Sequence, residues 1–252
     1  MNLGFIGTGK IAASVIAGIC NSKISFQKII VSPRNRNVSK KLRQRFRKVY
    51  IAKNNQEVVD NCNWVFLAVT PLVGENILRH LYFRNNKKVI SFISTIDLNT
   101  LKQYTTSANI TRVLPLPFIG IKKGPIIICP PDKAVKSFFK QLGKVIEIKN
   151  EEVSKNFWTT SSFMAPFYEM LAVKSNWLVS KGVKRKDAED YVRELFLALS
   201  QDAINKKNIS LKQLVGESQT PGGINAQALK ELKKKKFYKI QQKVLNSIFK
   251  RF

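Results

Sequence analysis

Asn2-Leu3-Gly4-Phe5-Ile6-Gly7-Thr8-Gly9-Lys10-Ile11-Ala12 opens the chain, and its reading decides the fold. An apolar run ends at Gly7, and the pattern G-x-G-x-x-A follows. From Ile11 the apolar residues Ile11, Val15, Ile16 and Ile19 fall at helical spacing. Strand, glycine turn and helix are the three parts of a dinucleotide-binding unit. Gly7 permits the tight turn, Gly9 lets the backbone approach a pyrophosphate, and Ala12 lets the new helix pack closely on the sheet. The helix N-terminus offers unpaired N–H groups and a partial positive charge to the phosphates. Gly7, Thr8, Gly9, Lys10 and Ile11 are therefore the candidate pyrophosphate-binding residues. The alternative is a strand-to-helix turn that binds nothing. The strand before the motif and the helix after it weigh against that alternative.

The next strand outward is Lys28 to Val31. In this architecture its end lies beside the adenosine ribose, where an NAD enzyme places Asp or Glu for the 2′-hydroxyl. Here Ser32, Pro33, Arg34, Asn35 and Arg36 follow, with no acid among them. A hydroxyl and a guanidinium suit a 2′-phosphate, which makes Ser32 and Arg34 candidates and NADP(H) the expected cofactor. A basic loop in a basic protein is the alternative, with Arg34 a better candidate than Arg36.

The pattern then alternates. A basic helix is expected over 39–48, a short strand over 49–52, a helical turn over 56–61 and a buried strand over 63–69. A helix from Thr70-Pro71 to Leu81, a strand over 89–93 and a helix from Leu98 capped by Asp97 come next. Strands over 112–114, 124–129 and 145–148, with a helix over 134–142, complete the run. This alternation predicts an α/β domain: an N-terminal Rossmann-like, doubly wound, mostly parallel sheet. After Lys149-Asn150 no strand pattern appears. One buried helix kinked at Pro166 is expected over 157–180, with helices over 187–206 and 210–215 and two more after Gly222-Gly223. The chain thus divides into residues 1–150, the dinucleotide-binding domain, and 151–252, an all-helical domain. A helical domain apolar on several faces commonly buries one of them against a second subunit. Phe163, Phe167, Trp177, Leu195 and Phe196 are core or interface candidates, with core the default.

Composition narrows the function classes. The 252 residues contain no apolar run near the ~20 needed to span a bilayer. The apolar start is broken by glycines and is no signal peptide, so a cytoplasmic protein without a membrane partner is expected. Three cysteines, odd in number and far apart, suggest reduced buried thiols. The single histidine, His80, has no companion ligand, and no metal site is expected. The net charge of +28 would suit a polyanion, but it is spread over the whole chain. The one run, Lys233 to Lys236, reads as a solvated helix end. No specific nucleic-acid partner is expected.

Several stretches together resemble the pyrroline-5-carboxylate reductase family. Gly4 to Ala12 matches its cofactor motif, and Leu67-Ala68-Val69-Thr70-Pro71 resembles its "LAVKP" segment. Val89 to Ser94 resembles its "VISI" strand, and Arg112-Val113-Leu114-Pro115 its "RVMP" segment. Thr220-Pro221-Gly222-Gly223 resembles its "SPGGTT" loop, and this loop in a helical second domain is the most specific of them. The resemblance implies a two-domain NAD(P)H-dependent reductase that makes proline by hydride transfer to a cyclic imine. It implies a helical domain that forms an interlocked homodimer, often assembled further. Asn55, Ala68, Val69, Thr70 and Pro71 join the implied cofactor residues. Thr220, Gly222, Gly223, Ile224 and Asn225 are the implied substrate residues, with Thr220 and Asn225 as catalytic candidates.

The departures lie on the substrate side. Pro115-Leu116-Pro117-Phe118 stands where the family has "PNTP". Phe163-Met164-Ala165-Pro166-Phe167-Tyr168 stands where it has "GSGPAY", and Asn225 stands for the threonine after Gly-Gly. These changes imply a narrower, more apolar pocket. They leave open a related NADP-dependent reductase of another imino or keto acid, or an NADPH-binding protein without turnover.

Overall fold

The first strand, β1 (Asn2–Ile6), is joined in one sheet by β2 (Lys28–Val31), β3 (Val49–Ile51), β4 (Trp64–Leu67), β5 (Lys88–Ser91), β6 (Ile110–Leu114), β7 (Pro125–Cys129) and β8 (Lys144–Glu147). The computed structural model describes residues 1–84, 87–106 and 109–252. Sheet order is β3-β2-β1-β4-β5-β6-β7-β8. Every pair is parallel except β6 with β7. Strand order reverses at β1, between β2 and β4. Such a reversal opens a crevice at the carboxyl ends of the strands, where ligands of doubly wound folds bind.

The helices of this unit are α1 (Lys10–Cys20), α2 (Arg36–Arg45), α3 (Asn55–Asn61), α4 (Pro71–Arg79), α5 (Leu98–Thr105) and α6 (Lys133–Phe139), and α7 (Glu151–Thr160) leads out of it. The apolar strands are buried and feed two clusters. One gathers Phe5, Ile16, Ile19, Phe66 and Phe139, and the other Ile6, Val58, Val65, Leu78 and Phe83. Phe5 and Phe66 stack with ring centres 4.4 Å apart, and Phe138 and Phe139 pack around Phe66. Each large side chain so buried stabilises the fold by about 1.5–3 kcal/mol. Local signals set the helix starts. The Asn35 side chain accepts the Val38 N–H, starting α2 three residues ahead of expectation. Asp97 accepts the Thr100 N–H at 2.7 Å to start α5, and this bond holds its carboxyl below the usual carboxylate range.

The chain forms two compact units, Met1–Trp158 and Thr159–Arg251. The boundary lies past residue 150 because α7 begins inside the first unit, where Glu151 accepts the Leu98 N–H and pairs with Arg112.

The second unit holds α8 (Met164–Ser180), α9 (Arg185–Asn205), α10 (Leu211–Glu217), α11 (Ile224–Lys234) and α12 (Phe237–Phe249). The single helix expected over 157–180 is interrupted by a 3-10 turn at Ser161–Phe163. Pro166 has no N–H to give the carbonyl four residues back, so it sits in the first turn of α8, where none is needed. The lysine run 233–236 is no continuous helix end; it crosses from α11 to α12, with Lys236 left-handed at φ 60°. The expected core is also corrected. Phe167, Trp177 and Leu195 are exposed, Trp177 to 60%, and Phe163 and Phe196 are half-buried. Among the described residues, no helix is long and apolar enough to cross a membrane.

Candidate active site

At the carboxyl end of β1 the chain turns through Gly7 at φ +96°. A Cβ there would stand 2.5 Å from the Ala68 carbonyl oxygen, so only glycine lets the β1 exit lie this close to the β4 exit. Gly9 is different. A Cβ on it would meet nothing within 4 Å, and the space above the turn is open. Gly9 also precedes α1 with no side-chain cap, and the helix has no acid in its first turn. Its first internal bond is Ala13 N–H to the Gly9 carbonyl. The amides of Lys10, Ile11 and Ala12 are thus left for an outside acceptor. Open space, free donors and a positive helix end are what a dinucleotide pyrophosphate requires, and the residues present fit it.

Polar contacts brace the turn from below. The Gly7 N–H donates to Ser32 Oγ at 2.9 Å, and Ser39 Oγ–H lies 3.1 Å from the Ser32 carbonyl and 3.3 Å from Thr8 Oγ1. Ser32, Ser39 and Thr8 are all buried. Ser32 Oγ accepts the Gly7 N–H and keeps its own O–H to donate, and the Thr8 side chain faces inward. Arg34 is exposed on the loop between β2 and α2, as is Lys10 at the start of α1. Residues 1–56 contain twelve lysines and arginines and no acid, so Arg34 has no carboxylate neighbour in that stretch.

The β4 exit supplies the facing wall. Ala68 and Val69 are half-buried, Thr70 is exposed, and Pro71 opens α4. Asn55 is the first residue of α3 and half-buried, while its neighbour Asn54 caps that helix by accepting the Glu57 N–H. No reactive thiol competes for a role here. Burial pushes the Cys20 thiol up to about 11 and the Cys62 thiol to about 12, so both stay protonated near neutrality. His80 follows α4, with Nδ1 2.7 Å from the Asn76 carbonyl.

The substrate candidates gather within the second unit. The Gly223 N–H donates to the Thr220 carbonyl at 2.8 Å, closing a turn in which Gly222 takes φ +73°. Gly223 precedes α11, again with no side-chain cap and no acid in the first turn. Thr220, Ile224 and Asn225 are exposed around it, Ile224 to 83%. This is a second backbone donor set suited to a small carboxylate. Elsewhere in the unit Phe163, Phe167, Met170, Val173, Leu232 and Phe237 line an apolar groove of about 730 Å³.

Residues 2–95 match the family model described as NADP oxidoreductase coenzyme F420-dependent. Residues 154–252 match the model described as pyrroline-5-carboxylate reductase dimerisation. Pyrroline-5-carboxylate reductase 3 of Xenopus laevis is 25% identical over 245 residues, covering 92% of this chain and 88% of that one. Over nearly its whole length the chain is similar to the pyrroline-5-carboxylate reductase family. Solved structures from that family share its fold over the full length. The enzyme of Streptococcus pyogenes superposes with a TM-score of 0.86 at 20% identity, covering 100% of this chain and 97% of that one. The Plasmodium falciparum enzyme, solved with NADP bound, gives 0.83 at 22% identity, covering 100% and 96%.

Proposed function

We propose that this protein reduces 1-pyrroline-5-carboxylate to proline with NADPH. The observation that carries the reading is the presence of two uncapped, acid-free helix starts, one in each unit, at the positions of the family's cofactor and substrate motifs. When bound, NADPH supplies the hydride. The amides opening α1 hold its pyrophosphate, and Arg34 takes the 2′-phosphate bidentately. The amides of Ile224 and Asn225, held at the turn through Gly222 and Gly223, take the substrate carboxylate, and the Asn225 side-chain amide and Thr220 hydroxyl orient the imine end. A cyclic imine takes its proton from solvent before hydride arrives, so no histidine or thiol is required of the chain.

The working form in this reading is a homodimer or a larger homo-oligomer. The support is the exposed apolar surface of α8, α9, α11 and α12, carried by a segment matching a dimerisation model. A cytoplasmic location accords with three free cysteines. The bulk of Phe163 and Met164 favours one second reading, a related imino or keto acid as substrate.

The test is NADPH oxidation by purified protein with pyrroline-5-carboxylate, beside NADPH binding alone. Turnover is expected, and Gly9→Trp should abolish both turnover and binding while leaving the circular dichroism unchanged, because that position faces open space. Tight NADPH binding without turnover on any imino or keto acid would overturn the reductase reading.

A further inference from the structure

Arg112 lies in mid-strand on β6 and is 5% exposed. Its guanidinium makes three contacts, two to the backbone at 93–94 and one to Glu151. Nη2 donates to the carbonyls of Ile93 at 3.2 Å and Ser94 at 2.6 Å, and Nη1 pairs with Glu151 Oε1. Both carboxylate oxygens of Glu151 accept the Leu98 N–H, at 3.0 and 3.2 Å. The pair therefore grips the loop between β5 and α5 at both ends, by two carbonyls on one side and an amide on the other. Nε of Arg112 is buried and has no hydrogen-bond partner. Stability alone does not account for this arrangement. A buried ion pair gains little over apolar packing of the same volume, and an unpaired buried N–H adds to its cost.

The gripped loop backs onto the cofactor wall. Around Gly74 of α4, the point where a Cβ would stand is 3.1 Å from Ile96 Cδ1, 3.2 Å from Ile93 Cδ1 and 3.7 Å from Val69 Cγ2. Ile93 and Ile96 are buried, and Val69 packs on their cluster. A displacement of the loop is therefore passed through close-packed side chains to Val69 and Thr70. We infer that Arg112 and Glu151 are positioning residues for hydride transfer, acting through the 93–98 loop and Val69 on the cofactor that the β4 exit faces. The inference rests on the reading of the protein as an NADPH-dependent reductase.

The test uses the full-length protein and two variants, Arg112→Gln and Glu151→Gln. Glu151→Gln keeps the size and an acceptor for Leu98 but loses the charge. The expected result is a fall in kcat of about 10- to 100-fold, the scale of a displacement near 1 Å at a reacting centre. NADPH affinity should change less than threefold, and the isotope effect with deuterated NADPH should rise as hydride transfer becomes rate-limiting. Arg112→Lys should restore part of kcat, since an ammonium keeps the Glu151 pair but cannot also reach both carbonyls. Hydrogen exchange at amides 92–98 and 69–74, measured without substrate, should quicken in both Gln variants. A lower melting temperature with kcat per NADPH site and isotope effect unchanged would overturn the inference and leave a structural brace. Unchanged exchange at 69–74 would overturn it as well. Wild-type protein that binds NADPH but reduces nothing would overturn the reductase reading instead, and the exchange arm would still report on the grip.

Discussion

The two units use the same kinds of side chain to opposite ends. In the first, Phe5, Phe66 and Phe139 are completely buried in a sheet sandwiched by its own helices. In the second, Trp177, Tyr191 and Leu197 are about 60% exposed on helices whose fully buried side chains, among the described residues, are few and small: Ser175, Ala188 and Val192. The first unit closes its core with its own chain. The second leaves apolar helix faces exposed, and in the proposed homo-oligomer a second chain covers them.

The difference can be broken from the side of the first unit. Phe66→Ala removes a ring that touches Phe5, Phe92, Phe138 and Phe139. It should cost about 3–5 kcal/mol, read as a fall in the urea midpoint of the unit. From the other side, Trp177→Ala should leave that midpoint unmoved and weaken self-association by about 2 kcal/mol, roughly thirtyfold in Kd by sedimentation equilibrium. An equal loss of single-chain stability in both variants would erase the distinction.

A smaller effect sharpens it with pH. Asp97 is held below its usual range by the Thr100 N–H, so its folded pKa lies under its unfolded one. The cap therefore stabilises the first unit fully above the unfolded pKa of about 3.9, and that contribution is lost as pH falls through the lower folded value. Asp97→Ala should cost about 1 kcal/mol at pH 7 and progressively less below pH 4, by urea titration across pH. The self-association of the second unit should not follow this profile.

How much of this the sequence carries depends on how far each cause reaches along the chain. The turn at Gly7 and Gly9, the Asp97 cap and the buried β4 run are local, and each shows in a few neighbouring residues. The break at Ser161–Phe163 falls a few residues before Pro166, because proline disrupts the turn before it as well as its own position. Nothing beside Ser32 in sequence reveals that Gly7, 25 residues away, donates to its oxygen. The Arg112–Glu151 pair spans 39 residues, and no local pattern joins the two. The exposed apolar helices showed in sequence as periodic hydrophobicity. Periodicity tells that a face is buried, and is silent on whether the same chain does the burying.

One edge of the sheet ends in β3, three residues long, with Tyr50 exposed and Arg47, Lys48 and Lys53 exposed on either side. A strand edge is a template for another strand, and this one is too short and too uniformly charged to recruit a copy of itself. Like-charge repulsion guards this edge against fibre-like addition of further strands.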